Sequence, residues 1–595
     1  MNRWCEDLGQ LLEDVESGES IGISGFHFVR APMAQLRHLV ASGRRDLSYV
    51  AWGGGLPLEF LLSADVVSEL TFCFSSFDIF GLAPRFRAAL EQEQLRVTEM
   101  SALGFITALR AGAEQVPYGV FQAPVASDLL PGFASKVRGP AADDSVPVAA
   151  VQARRVDNFL LHAQRGDESG NVEISGARGI DLPALYGAKR VLVTVEERVP
   201  DGELGSGRGT YVVPRTFVTA LLELPGGSWP TSCLPYYPAD YRKLQQLAAI
   251  PAAQPIRESD LSEDSSQRLE AVRAIGRLQP ARVISALQQH AATPAEEATV
   301  VDQAYTVDEL MVAYIAHSVE ERSVCSVGSV SPLATIAYLL AKRMWAPGAT
   351  IISSNGSYLD VAGRPMSTIT AELLDFHSAV DHIGSEDSYH WYYQRGLITH
   401  EVVSAAQVDR RARTNTAWIN RSDGRRLRLP GQGGMADVAD MHETFFIYLP
   451  RHSPRSMVEE VDFVSAARAF HGDERSRYGY RKGRTLVLTN LGVFHYDLAT
   501  EALELTHVHP GVDVEEVQEQ TEFRVPVSSD LQVTPPPTPA ELDIIRRELD
   551  PLGVRRLEFV PSSERGVLIE ELLTLEEEAL CKEGWVPPTL KEEPS

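Results

Sequence analysis

The chain has 595 residues, of which 81 are acidic and 55 basic, and 44% of its positions are hydrophobic. This length and apolar content predict a large core and more than one domain. The net charge of −26 argues against a nucleic-acid binder, because such proteins need a basic face. No apolar run approaches a membrane span and the first residues lack a signal sequence, so we expect a cytoplasmic protein that binds neither nucleic acid nor membrane.

The N-terminal segment predicts a strand, a glycine turn, a helix and a second strand. Residues 20–25 (SIGISG) are typical of a short buried strand that ends in glycine, and a helix is expected over 32–40. A further strand over 47–52 ends in the triple glycine 53–55. This order is the βαβ unit of a parallel sheet, in which glycines let the backbone approach a ligand.

The same order returns in the second half of the chain. Residues 323–328 (SVCSVG) form a strand and glycine, a helix is predicted over 332–344, and a strand over 349–353 ends near Asn355 and Gly356. The repeat predicts two α/β domains of related architecture.

Two composition changes divide the chain. Residues 252–302 are rich in Ala, Gln, Glu, Ser and Pro, with an amphipathic run over 267–289, and predict a linker carrying one or two helices. A second boundary at 534–538 (TPPPT) precedes a predicted helix over 540–549, and the chain closes with a terminal helix and a tail.

The residues alone leave the chemistry open. Neither the turn at 22–25 nor that at 328–332 matches the dinucleotide or the phosphate-loop pattern, and no Ser, His and Asp form a triad by spacing. The five cysteines lack a CxxC pair and the histidines lack HExxH, so we expect buried free thiols and no metal. The glycine clusters are tight turns or ligand cradles.

Longer strings carry a family resemblance. Residues 154–171 (RRVDNFLLHAQRGDESGN) and 188–197 (AKRVLVTVEE) are similar to a segment of the α subunits of family I coenzyme A transferases. Residues 431–437 (GQGGMAD), 489–494 (TNLGVF) and 509–523, which begin HPGVDVEEVQ, resemble signatures of the β subunits.

The resemblance covers roughly residues 8 to 555 and implies α and β subunits fused into one chain. It implies two tandem open α/β domains of the family I type, each a parallel sheet flanked by helices. The domains are then 1–251, α-subunit-like; 252–305, a linker with helices; 306–555, β-subunit-like; and 556–595, a C-terminal helix and tail.

One position departs from the family pattern. The family's β-subunit turn contains a glutamate that attacks the acyl-CoA thioester and then carries CoA as a glutamyl thioester. The corresponding turn here is 353–356 (SSNG), with Ser354 where the glutamate stands. A serine hydroxyl does not form these intermediates, and the next acids, Asp360 and Glu372, lie well outside the turn in the sequence.

Members of this fold without that glutamate include hydrolases that open rings of steroid-derived CoA thioesters, and decarboxylases with a cysteine in its place. In the hydrolases a glutamate of the α half acts on substrate or water. Residues 98–104 (TEMSALG) resemble that segment, with Glu99 at its first acid and Ala102 at its second. The alternative for Glu99 is a carboxylate at the start of a helix.

Ser354 also leaves two alternatives. It is a nucleophile with His27 or His162 as its base, or it is a small residue that makes room for an acyl group while Asn355 and Gly356 keep the turn.

We therefore predict an active site between the two halves. The resemblance points to these catalytic residues: Glu99, Ser354 and His162. It points to these residues at the CoA group: Gly25, Gly53, Gly54, Gly328, Asn355, Gly356, Gly433 and Gly434. Coenzyme A is part of the substrate, no cofactor is required, and Arg30 near the first turn is a candidate for the CoA phosphates.

The resemblance implies an enzyme that acts on a small-molecule acyl-CoA, by hydrolysis, carbon–carbon ring opening or decarboxylation. The alternatives are a true transferase that moves CoA between carboxylic acids and a non-catalytic acyl-CoA binding protein. The acyl group and the oligomeric state stay open, with a homodimer as one candidate.

Overall fold

The structure, a computed structural model, describes residues 3–137, 148–262, 264–290, 305–328, 331–353 and 357–588. Two ten-stranded sheets form its framework, one in each half of the chain.

The strands of the first half are β1 (Arg3–Trp4), β2 (Ser20–Ile23), β3 (Leu47–Val50), β4 (Val67–Phe72), β5 (Arg96–Glu99), β6 (Tyr118–Gln122), β7 (Ala134–Val137), β8 (Val148–Gln152), β9 (Asn158–Asp167), β10 (Val172–Ile174), β11 (Arg190–Val199), β12 (Tyr211–Val213) and β13 (Ala220–Glu223). The helices up to the end of the linker are α1 (Leu8–Leu11), α2 (Met33–Ala41), α3 (Gly55–Ser63), α4 (Pro84–Glu91), α5 (Ala102–Ala113), α6 (Asp181–Gly187), α7 (Tyr241–Ala249), α8 (Glu258–Ser262), α9 (Ser265–Gly276) and α10 (Pro280–Gln289).

The strands of the second half are β14 (Val324–Ser326), β15 (Thr350–Ser353), β16 (Tyr358–Leu359), β17 (Asp381–His382), β18 (His400–Ser404), β19 (Gln407–Asp409), β20 (Thr414–Asn415), β21 (Trp418–Asn420), β22 (Arg426–Arg428), β23 (Thr444–Leu449), β24 (Met457–Val458), β25 (Arg484–Thr489), β26 (Gly492–Asp497), β27 (Ala502–Val508) and β28 (Val527–Val533). The helices are α11 (Val307–His317), α12 (Pro332–Met344), α13 (Ala371–Ser378), α14 (Ser385–Asp387), α15 (Met435–Met441), α16 (Val514–Glu519), α17 (Pro539–Asp543) and α18 (Ser562–Lys582).

The two sheets share a parallel centre. In the first, the order is β1-β13-β11-β9-β2-β3-β4-β5, and these neighbours are parallel. In the second, β15-β14-β18-β23-β25 are parallel. The unit β2-α2-β3 thus recurs as β14-α12-β15, and the predicted α/β framework is confirmed.

The second sheet departs from a purely parallel one at its outer strands. Strands β16 and β17 pair antiparallel beyond β15, and β26 and β27 pair antiparallel beyond β25. Short connections cause this, because a tight turn joins antiparallel neighbours whereas parallel neighbours need a crossover.

Helix α12 covers the predicted range, and the linker segment does carry helices. The amphipathic run over 267–289 divides into α9 and α10, because Pro280 begins the second helix and lacks the N–H that would continue the first. The thiols of Cys5, Cys73, Cys233 and Cys325 are buried as predicted, whereas Cys581 is exposed on α18.

The halves pack as one body. A single hydrophobic cluster takes buried side chains from both, and the Trp52 ring meets the Tyr389 ring edge-on at 5.7 Å. Backbone hydrogen bonds cross the joint, with Gly433 donating to Cys73 O at 3.1 Å and Ser75 to Pro430 O at 2.8 Å. Within the described ranges, no helix is both long and apolar enough to span a membrane.

Candidate active site

The first glycine turn follows the carboxyl end of β2. Gly25 has φ +78°, and a β-carbon there would lie 1.8 Å from Val29 O, so only glycine fits. His27 and Arg30 also have positive φ values, of 51° and 48°. Strained backbone of this kind persists where the surroundings fix it, as at ligand sites.

Glycines 53 and 54 follow the carboxyl end of β3 and lie against the first turn. A β-carbon on Gly53 would be 2.7 Å from the Phe26 ring, and one on Gly54 would be 2.3 Å from the Ser75 hydroxyl. These two glycines let the first turn sit tightly on the sheet. Their predicted contact with CoA stays a prediction.

A cavity of about 200 Å³ lies between the halves. Its walls include Phe26, His27 and Asp78 from the first half and Gly328, Ser353 and Glu372 from the second. The first and the second glycine turns, distant in sequence, therefore face one space, at the carboxyl ends of parallel strands where ligands bind in open α/β sheets.

Predicted residues Ser354, Asn355 and Gly356 lie outside the described residues. Of the residues beside them, Ser353 donates its hydroxyl to Asp375 at 2.5 Å, and Asp375 is paired with Arg364. Tyr358 on β16 lies directly opposite Ser353 on β15.

His27 presents an imidazole without charge to the cavity. Burial lowers the pKa of His27 to about 3. Neither ring nitrogen has a hydrogen-bond partner among the described residues. The ring is therefore a neutral donor and acceptor next to bound substrate, rather than a cation.

Glu372 lines the same cavity, although the sequence placed it outside the turn. Ser232 Oγ donates to its Oε2 at 2.7 Å and the Tyr358 hydroxyl donates to its Oε1 at 3.0 Å. Burial raises the pKa of Glu372 to about 7. The expectation that this acid is remote from the site is wrong, because the β15-β16 pairing and α13 bring the chain back.

Glu401 on β18 is a second buried acid near the site. Its Oε1 would lie 3.8 Å from a β-carbon on Gly328, and its Oε2 has no hydrogen-bond partner among the described residues. Burial raises the pKa of Glu401 to about 7. His442 lies next to it, with 3.6 Å between Nδ1 and Oε2.

Glu99 lies at the joint but outside the lining of this cavity. It ends strand β5 rather than starting a helix. Arg428 donates to its Oε2 at 2.7 Å and the Gln432 N–H to its Oε1 at 3.2 Å, so it anchors the loop that contains Gly433 and Gly434. Its catalytic role stays a prediction.

His162 is fully buried on β9, away from the cavity lining. Its Nδ1 lies 2.9 Å from Thr194 Oγ1 and its Nε2 lies 2.8 Å from Glu196 Oε1. Of the two histidines proposed as a base for Ser354, only His27 faces the cavity.

His162, Glu196 and Cys233 carry metal-ligand atoms within 4.8 Å of one another. However, Glu196 already accepts hydrogen bonds from the Tyr237 hydroxyl and the Gly226 N–H, and Arg273 lies 3.3 Å away. A cation would compete with this arginine, so hydrogen bonding accounts for the cluster.

Arg30 does not reach a phosphate site. Its side chain is 1% exposed and forms an ion pair with Asp181. It also donates to the carbonyls of His162 and Ala177, at 2.9 and 3.0 Å. The sequence suggested an arginine for CoA phosphates, and for Arg30 this is wrong because the positive φ turns the side chain into the core.

The fold and the cavity define a class of α/β protein in which two related parallel-sheet halves enclose a site at their joint. The coenzyme A transferase family model matches residues 6–222 and 309–520, which is more than half of the chain. The chain therefore belongs to the coenzyme A transferase family of enzymes, and the two matched segments confirm the predicted fusion of subunit-like halves.

Relatives include separate subunits. Subunits A and B of 3-oxoadipate CoA-transferase from Pseudomonas knackmussii are 32% and 29% identical to this chain, over 39% and 41% of it and 82% and 93% of the subunits. The cholesterol ring-cleaving hydrolase IpdA subunit of Mycobacterium tuberculosis is 28% identical, over 42% of this chain and 88% of the subunit.

The acyl-CoA transferase YdiF of Escherichia coli O157:H7 has the same fold over the whole length. Its structure matches with a TM-score of 0.60 and 13% identity, over 90% of this chain and 95% of YdiF.

Proposed function

We propose that this protein hydrolyses a CoA thioester, at the thioester bond or at a carbon–carbon bond next to it, and does not move CoA between carboxylic acids. The supporting observation is the cavity between the halves, where Gly328 and Ser353 of the second half face His27 of the first. Ser354 follows Ser353 directly, so the residue at the transferase glutamate position belongs to the chain segment at this cavity.

The chemistry of Ser354 supports water as the acceptor. A carboxylate at that position would form an acyl anhydride and then a thioester with CoA, which makes the exchange of CoA reversible. A serine hydroxyl forms neither. The IpdA subunit, a relative named for ring-cleaving hydrolysis, shows that this family includes hydrolases.

The test separates water from carboxylate as acceptor. The purified protein is incubated in ¹⁸O-water with acetyl-CoA, acetoacetyl-CoA and a cyclic β-ketoacyl-CoA, with and without succinate. We expect a product carboxylate that contains ¹⁸O, formed at a rate that succinate does not change. Formation of succinyl-CoA, release of CO₂, or binding of every thioester without turnover would each contradict the proposal.

A substitution at the turn tests the same point. Ser354→Glu supplies the missing carboxylate, so we expect succinate-dependent CoA transfer and a glutamyl-CoA adduct visible by intact-protein mass spectrometry. Ser354→Gln has nearly the same size without the nucleophilic oxygen and is the matched control. A Glu variant that is as inert in transfer as the Gln variant would remove Ser354 from the explanation.

A further inference from the structure

Glu372 is held between the two halves by one donor from each. It is the second residue of α13, and its side chain lines the cavity. Ser232 belongs to the first half and Tyr358 to the second, and each donates to a different carboxylate oxygen, at 2.7 and 3.0 Å. The carboxylate is therefore oriented only when the halves are together.

Both donors are themselves fixed. The Ser232 backbone donates to Phe28 O and accepts from the Arg30 N–H, each at 2.8 Å. Tyr358 is fully buried and lies opposite Ser353 in the β15-β16 pair. Because each carboxylate oxygen accepts more than one hydrogen bond, Glu372 keeps lone pairs free for a molecule in the cavity.

The other acids that line the cavity are less available. Asp375 accepts from Arg364 Nε and Nη2, at 2.5 and 2.9 Å, and also from Ser353. Asp78 stands on the opposite wall, in the first half, where Arg565 attracts its charge. Glu372 has only neutral hydroxyl donors, as a group that exchanges a proton requires.

We infer that Glu372 is the general base that activates water for the hydrolysis proposed above, on which this inference rests. Glu372 takes a proton from water as the water oxygen bonds to the carbonyl carbon. The leaving group, a CoA thiolate or a carbanion, departs with the electron pair of the broken bond and takes this proton back from Glu372. One water is consumed and the carboxylate is regenerated.

The charges around Glu372 set the pH range. Burial raises its pKa to about 7, against the two hydroxyl donors and the charge of Arg30, while Asp375 on the same helix raises it further. Other titratable groups that face it are Tyr241 and Cys233, whose own pKa values are raised well above normal by burial. His27 and Asp78 line the same cavity. A base is active when deprotonated, so the rate should rise with pH through about 7.

Three variants test the assignment with acetoacetyl-CoA as the probe. Glu372→Gln should lower kcat by about 100-fold or more with little change in KM. Tyr358→Phe and Ser232→Ala each remove a donor that favours the charged carboxylate. Each should therefore raise the pKa of the kcat/KM profile by about one unit, to which a purely structural role would not lead.

A buried acid elsewhere provides the matched control. Glu558 accepts hydrogen bonds from the Tyr448 hydroxyl and from the Leu333 N–H, and burial raises its pKa to about 7, yet it is outside the cavity lining. Glu558→Gln and Tyr448→Phe should leave the pH profile in place.

The outcomes separate the two proposals. An active wild type whose rate or pH profile is unchanged in Glu372→Gln and Tyr358→Phe overturns the role of Glu372 and leaves hydrolysis standing. The same holds if the Glu558 pair shifts the profile equally. A wild type that hydrolyses no thioester overturns the proposed function, and this inference with it.

Discussion

At Gly434 the absence of a side chain sets how closely the two halves approach. A β-carbon there would lie 2.1 Å from the Tyr389 hydroxyl oxygen and 3.1 Å from Cζ. Tyr389 in turn packs edge-on against Trp52 of the first half, at 5.7 Å. This glycine was predicted to contact CoA, and the structure gives it a packing role at the joint.

We expect Gly434→Ala to lower the free energy of unfolding by about 1–3 kcal/mol, because it overpacks a buried contact. Tyr389→Phe removes the closest atom, so the double variant should recover part of that loss. Gly363→Ala is the control, because no atom lies within 4 Å of a β-carbon there. Chemical denaturation measures all three, and equal stability of Gly434→Ala and Gly363→Ala would contradict the packing role.

Among the elements, helix α18 joins both walls of the cavity. Arg565 donates to Ile79 O at 2.9 Å on the first-half wall. Glu576 is fully buried and accepts from the backbone N–H groups of 368, 369 and 370 on the second-half wall, at 2.7, 2.9 and 2.9 Å. The segment predicted as a C-terminal helix and tail thus carries a helix that supports the site.

We expect Glu576→Gln to lower the free energy of unfolding by about 1–3 kcal/mol, because an amide nitrogen would face backbone donors. It should also lower kcat, since Thr368 and Ile369 line the cavity. Glu571→Gln on the same helix breaks only an exposed pair with Arg556 and should cost less than about 1 kcal/mol. Thermal unfolding and turnover measure both, and equal effects would remove α18 from the support of the site.

At the scale of the whole molecule, one chain does what separate A and B subunits do in relatives. The hydrophobic cluster across the joint and the backbone hydrogen bonds that cross it do not depend on the covalent link. The fusion raises the effective concentration of one half for the other.

We therefore expect residues 1–290 and 305–595, expressed together as two chains, to copurify as a one-to-one complex that retains hydrolysis. Native mass spectrometry measures the stoichiometry, and the intact chain is the reference, which also tests the predicted homodimer. Two folded pieces that elute separately would contradict a stable joint.

Local pattern was enough to place many elements. Pro332 marks the start of α12, and apolar spacing carries it to Met344, because these signals act within a few residues. The repeated strand, glycine and helix order also predicted two related parallel sheets. The antiparallel edge strands β16 and β26 were missed because they follow short turns and carry no signal of direction.

The site required the tertiary structure. The sequence determined two α/β halves, their glycine turns and the serine at the transferase glutamate position. It did not bring Glu372 to the cavity, bury Arg30 with Asp181, or separate His162 from the joint. Those outcomes depend on how β15 and β16 pair and how the two sheets face each other. These contacts join residues far apart in the chain, and no local pattern encodes them.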